Sequence, residues 1–210
     1  MGRKVKAIKN DLRRTPASLN YIRQIYVFTE GSVTEAEYLG IAKKLINEQH
    51  DCHYKFALHI NTNKGKSSPK NLLDRIRRKS QEFINKDLHE IWILFDQDRW
   101  PASQIESLRA GVGIKNKPRT YQALISIPKF EVWLILHFEN AKGISTASEV
   151  DSRLKKYIPD YKKHLPENIF NLAKINNAIS NSKLLIRNNS AAQTQVYKLI
   201  EHLIDLSQKQ

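Results

Sequence analysis

Short β-branched and aromatic runs alternate with stretches of helical periodicity from residue 24 to residue 127, and this alternation restricts the fold more than any other feature of the chain. "QIYVFTE", beginning at Gln24, reads as a short buried strand. "TEAEYLGIAKKLINEQ" then sets Tyr38, Ile41, Ala42, Leu45 and Ile46 at the three-and-four spacing of one helical face. Residues 54–60, "YKFALHI", form a second strand. Pro69 opens a helix reaching about residue 86, at a position where its missing N–H costs nothing. "EIWILF" (90–95) is a third strand, "ASQIESLRAG" a short helix stopped by Gly111, and "TYQALISI" (120–127) a fourth strand. Strand and helix in alternation imply a mostly parallel sheet covered on both faces. The expected fold is therefore α/β, a Rossmann-like four-stranded sheet flanked by helices. After Pro128, "KFEVWLILHF" and the segments 149–157, 167–181 and 193–207 read as helices, with no further strand. The organisation expected is a flexible basic arm over 1–20, an α/β domain over 21–140 and a helical region over 141–210 packed on it. No linker rich in Gly, Ser or Pro separates these parts, so residue 140 is only a seam.

Charge bears on partners. The 210 residues carry 35 Lys and Arg against 21 Asp and Glu, a formal net charge of +14, which favours polyanionic partners, nucleic acid before an anionic membrane surface. Six of the first 14 residues are Lys or Arg, a composition suited either to contacting nucleic acid or to a solvated tail. A single cysteine, Cys52, makes an internal disulfide impossible, and no run resembles a signal peptide or a membrane span. A cytoplasmic, reduced protein without membrane association is expected.

Against this positive background, carboxylates collect where strands end. Glu30 follows the first strand, Asp96 and Asp98 follow the third, and Glu131 opens the helix after the fourth. In parallel α/β sheets, ligands bind outside the carboxyl ends of the strands. Alternate residues of extended chain point the same way, so Asp96 and Asp98 can face one ion. Hard cations such as Mg²⁺ take oxygen ligands, commonly one or two carboxylates plus substrate phosphate. Each residue also has a plainer reading: an aspartate after a strand forms turns or caps helices, and Glu131 suits a helix N-terminus. Taken together, a basic chain that clusters carboxylates on one edge repels its own polyanionic partner unless a cation neutralises the cluster. Asp96 and Asp98 are the expected metal ligands, Glu30 a third ligand or a general acid or base, and Glu131 joins them as a candidate catalytic group.

Phosphate contacts are expected from Lys64, Lys66 and Lys70 near the helix start at Pro69, from Arg75 and Arg78 three apart along that helix, and from Arg99 beside the aspartates. His137 reads as a structural histidine, and Trp92, Phe130, Trp133 and Phe138 read as core. His50, Cys52 and His53 lack a second Cys/His cluster, which argues against zinc.

"TEGSVTEAEYL", "ILFDQDRW" and "ISIPKFEVWLILHFE", in that order, together with "NNSAAQTQVYKLIEHLI", resemble the RloB-like family over roughly residues 22–206. The chain departs from the family pattern at Ile127-Pro128, where relatives carry Asn before the proline. The resemblance implies a Toprim-like domain with a glutamate after the first strand and an Asp-x-Asp after a later one, positions matched by Glu30, Asp96 and Asp98. It also implies a nuclease dependent on Mg²⁺ or Mn²⁺, acting on RNA such as tRNA or on DNA in prokaryotic antiphage defence. The partner it implies is an ATPase of the AAA or ABC kind, with homo-oligomerisation left open. The alternative is a non-catalytic nucleic-acid-binding or adaptor subunit of such an ATPase complex.

Overall fold

The computed structural model describes residues 22–50, 56–62, 68–83, 85–97 and 100–208. Five strands and seven α-helices follow one another along these residues. They are β1 (Arg23–Thr29), α1 (Thr34–His50), β2 (Phe56–Asn61), α2 (Pro69–Ser80), β3 (His89–Asp96), α3 (Ala102–Ala110), β4 (Thr120–Ile127), α4 (Glu131–Ile135), α5 (Ala147–Leu154), α6 (Leu172–Arg187), β5 (Gln193–Thr194) and α7 (Tyr197–Gln208). The strands lie in the order β2-β1-β3-β4-β5. The first three pairings are parallel and β4–β5 is antiparallel.

Central strands β1 and β3 are buried on both faces, which is why they read as unbroken apolar runs. Side chains alternate across the sheet. Ile25, Val27, Trp92 and Leu94 enter a core shared with α1 and α4–α7, while Tyr26, Phe28, Ile91, Ile93 and Phe95 face α2 and α3. Helix ends follow local chemistry. Ser68 accepts a hydrogen bond from the Asn71 N–H (3.1 Å) with Pro69 in the first turn, and Gly111 terminates α3 in the left-handed region at φ 65°. Thr146 and Glu149 form a reciprocal capping box on α5.

The fold is the α/β sheet expected from the sequence, with one correction: it has five strands, not four. Gln193–Thr194 pairs with Ile127 and Ser126, so the last helix starts at Tyr197 and not at residue 193. Two residues are too few to show period-two alternation, and tertiary hydrogen bonds hold them instead. Ser126 Oγ and Thr194 Oγ1 lie 2.9 Å apart, and Ser182 Oγ donates to the Thr194 carbonyl at 2.6 Å. Helix α4 spans only five residues, because bonds from His137 N–H to Leu134 O and from Phe138 N–H to Ile135 O tighten the chain after it.

At the amino end of the sheet, Glu90 is buried among Arg23, Trp92 and His202, at 2.7, 2.9 and 2.7 Å. Burial raises its pKa, but the hydrogen bonds from His202, Trp92 and Arg23 outweigh this and leave it lowered. This cluster ties α7 to β3. Among the described residues, no helix is long and apolar enough to cross a membrane.

Trp92, Phe130 and Trp133 are core residues and Phe138 packs against them, as expected. His137 is buried just past α4. Its Nδ1–H donates to the Trp133 carbonyl at 2.9 Å, which leaves Nε2 to accept from the Tyr38 hydroxyl at 3.0 Å. Desolvation lowers its pKa to about 4. Between that value and the ordinary 6.5 the unfolded chain binds a proton that the native state refuses, so stability present above pH 6.5 is lost as pH falls toward 4. The full loss is about 3 kcal/mol. The expected outcome is a fall in urea midpoint from pH 7 to pH 4.5 that is markedly shallower in His137→Gln, measured by circular dichroism on both proteins across that range.

Candidate functional site

The parallel register of β1 and β3 assembles the site. Thr29 pairs with Leu94, and the Glu30 N–H continues the ladder onto the Leu94 carbonyl at 3.0 Å. Glu30 therefore leaves the sheet beside Asp96, the last residue of β3, and Glu30 Oε2 accepts the Asp96 N–H at 3.1 Å. The chain after β4 brings Glu131 to the same edge as the first residue of α4. Three of the four acidic residues expected from the sequence thus meet at one pocket of about 170 Å³. The fourth, Asp98, lies outside the described residues.

Glu35, which the sequence reading passed over, is the additional member. It stands in the first turn of α1, buried at 7% exposure, and its Oε1 accepts the Gly31 N–H at 3.0 Å. A Cβ at Gly31 would lie 2.3 Å from a Glu35 carboxylate oxygen, so only glycine lets that carboxylate fold back. The available signal was an acidic residue in the first turn of the helix leaving the first strand, five residues after Glu30. It resembles an ordinary helix-dipole residue.

Carboxylates this close oppose one another. Burial, followed by the charges of Glu35, Glu131 and Glu30, pushes Asp96 well above the usual aspartate range, and a hydrogen bond from the Phe130 backbone offsets part of this. Burial likewise raises Glu35; backbone hydrogen bonds and Lys163 pull against it, and Glu131 adds to it. Lys163 lines the pocket, contributed by the loop after α5. From the same loop, the Tyr161 hydroxyl donates to Glu131 Oε1 at 2.8 Å. Neither residue had a sequence signal, because both lie some 130 positions beyond Glu30 with no motif to connect them.

As a donor set, carboxylate oxygens suit a hard divalent cation, and their mutual repulsion is the electrostatic condition such an ion corrects. Among the described residues, no group of three or more His, Cys, Asp or Glu is arranged to hold a metal ion. Glu30, Glu35 and Glu131 are instead hydrogen bonded to the protein.

The expected phosphate contacts divide. Lys70 and Arg78 are exposed on α2. Arg75 turns inward, with Nη1 donating to Thr29 O at 3.3 Å and Nη2 to the Asn61 and Thr62 carbonyls, so it caps the ends of β1 and β2. Lys64, Lys66 and Arg99 lie outside the described residues, as does the basic arm 1–20.

Comparison with known proteins matches residues 25–203 to the family described as RloB-like protein. No curated protein and no solved structure matches the chain.

Removing one of these opposed charges should relax the site. Asp96→Asn is expected to raise the melting temperature at pH 7.5 in EDTA, by roughly 2–4 °C for each kcal/mol of repulsion relieved, as measured by scanning calorimetry.

Proposed function

The chain belongs to the RloB-like family, and on its acidic sheet edge we propose that it is a divalent-metal-dependent nuclease of Toprim-like type, the effector of a prokaryotic antiphage system. The observation that carries this reading is the convergence of Glu30, Glu35, Asp96 and Glu131 on one pocket at the carboxyl edge of a parallel sheet, in a chain of net charge +14. A structural role for the cluster is disfavoured, because carboxylates packed this closely oppose one another. Sites that store such strain are commonly functional.

Asp96 and Asp98 would hold Mg²⁺ or Mn²⁺, with Glu30 as third ligand or as the group that moves a proton. The ion, when bound, supplies Lewis-acid polarisation of the scissile phosphate and lowers the pKa of the attacking water. Glu30 is kept in register by the Asp96 N–H. Glu35 and Glu131 line the same pocket and would face a second ion or a leaving oxygen there. Lys70 and Arg78 offer exposed positive charge to the phosphate backbone. RNA such as tRNA and DNA are both within reach of this chemistry, since backbone contacts do not discriminate between them. An ATPase of the AAA or ABC kind is the proposed partner, and the cytoplasm the proposed compartment.

A second reading, a non-catalytic nucleic-acid-binding subunit of such an ATPase complex, draws on the lack of a three-residue metal set among the described residues. The two separate on one experiment, in which total tRNA, single-stranded DNA and duplex DNA are each incubated with the protein and Mg²⁺, Mn²⁺ or EDTA. Cleavage that needs the ion and disappears in a folded Asp96→Ala/Asp98→Ala variant is expected. Undiminished cleavage by that variant rejects the assignment, and binding without cleavage under every condition favours the adaptor.

Binding itself should weaken with salt. Lys70→Ala and Arg78→Ala are each expected to lower affinity for all sequences alike and to reduce the slope of log K against log salt by about 1, read from fluorescence anisotropy between 50 and 200 mM salt.

A further inference from the structure

We propose that Tyr161 is a positioning residue for Glu131, a role by which the loop after α5 completes the acidic pocket; the inference rests on the metal-dependent reading above. Glu131 is the most weakly anchored member of the cluster by local structure. It opens a helix of five residues, and its predecessor Phe130 caps that helix without a side-chain hydrogen bond. Its carboxylate shares the pocket with Asp96 and Glu35, whose charges oppose it. The Tyr161 hydroxyl counters this by donating to Glu131 Oε1 at 2.8 Å.

The chemistry of the donor is the informative part. Lysine or arginine at this place would hold Glu131 equally well but would cancel its charge and the attraction of the pocket for a cation. A phenol holds the carboxylate through a neutral O–H and leaves the negative charge intact. A phenol of ordinary pKa, about 10, keeps its proton at neutral pH.

Tyr161 is in turn fixed from behind. Thr34 Oγ1, at the start of α1, lies 2.9 Å from both the Tyr161 oxygen and the Lys163 carbonyl and gives its one proton to either, since the Tyr161 proton goes to Glu131; Lys163 adopts a left-handed φ of 75°. Three residues further on, Glu37 of α1 accepts the Leu165 N–H at 2.8 Å and pairs with His164. The loop is thus stapled to the first turn of the helix that carries Glu35. Groups 127 and 128 positions apart in the chain are thereby joined beside the pocket. This wiring is more than packing requires, since a phenylalanine at 161 would fill the same volume.

The test is a double-mutant cycle on cation binding. Mn²⁺ affinity is measured by isothermal titration calorimetry for the full-length wild type, Tyr161→Phe, Glu131→Gln and the double variant, with melting temperatures in EDTA as the control for folding. The expected result is Mn²⁺ binding about tenfold weaker in Tyr161→Phe, a factor corresponding to about 1.4 kcal/mol, with little further loss when the change is added to Glu131→Gln, because the tyrosine acts through that carboxylate. Wild-type affinity in Tyr161→Phe overturns the assignment, and so do losses that simply add in the double variant. If the wild type takes up no Mn²⁺, the metal reading falls and this assignment with it. If Glu131→Gln weakens binding while Tyr161→Phe does not, only the role of Tyr161 falls.

Discussion

The ladder between β1 and β3 sets Glu30 and Asp96, the pair around which the other groups of the pocket gather. Thr29 opposite Leu94, extended by the Glu30 N–H onto the Leu94 carbonyl, leaves Glu30 and Asp96 side by side with no turn or linker between them. Because each face of these strands packs into its own core, a slip of one residue would send every side chain to the opposite face and break both packings. Each fully buried Ile, Leu or Phe is worth roughly 1.5–3 kcal/mol, so the register is held by far more energy than carboxylate repulsion can oppose. The hydrophobic sheet is what allows an unfavourable edge to exist.

That edge is managed in small local ways. Asp96 accepts from the Phe130 backbone, Glu35 from the Gly31 N–H, Glu30 from the Asp96 N–H and Glu131 from Tyr161. All four partners are neutral. A positively charged chain with arginine and lysine to spare surrounds its acidic pocket mostly with amides and a hydroxyl, and Lys163 is the cation that lines it. Neutral donors orient a carboxylate without quenching its charge.

The region after residue 140 is part of the same body. β5 extends the sheet, α7 is pinned to β3 through Glu90, and α5, α6 and α7 share one core with α1 and α4. Its loop then supplies Tyr161 and Lys163 to the pocket. A helical appendage packed on a finished domain would contribute neither a strand nor a pocket wall.

Residue pattern alone determined the parallel α/β arrangement, the carboxyl-edge location of the site and three of its acidic residues. These depend on hydrophobic periodicity and on what directly follows a strand, both of which are local in the chain. Glu35 was legible only in part, since an acid in a first helical turn has an adequate local explanation. Strand β5, the inward turn of Arg75 and the Tyr161–Glu131 contact were decided by the tertiary structure. A two-residue strand has no period, an arginine on a basic helix gives no sign of which carbonyls it will meet, and a contact between residues 30 apart across a loop leaves no mark on either. Such features come from the burial of unlike segments against each other, where each partner supplies the reason for the other's position.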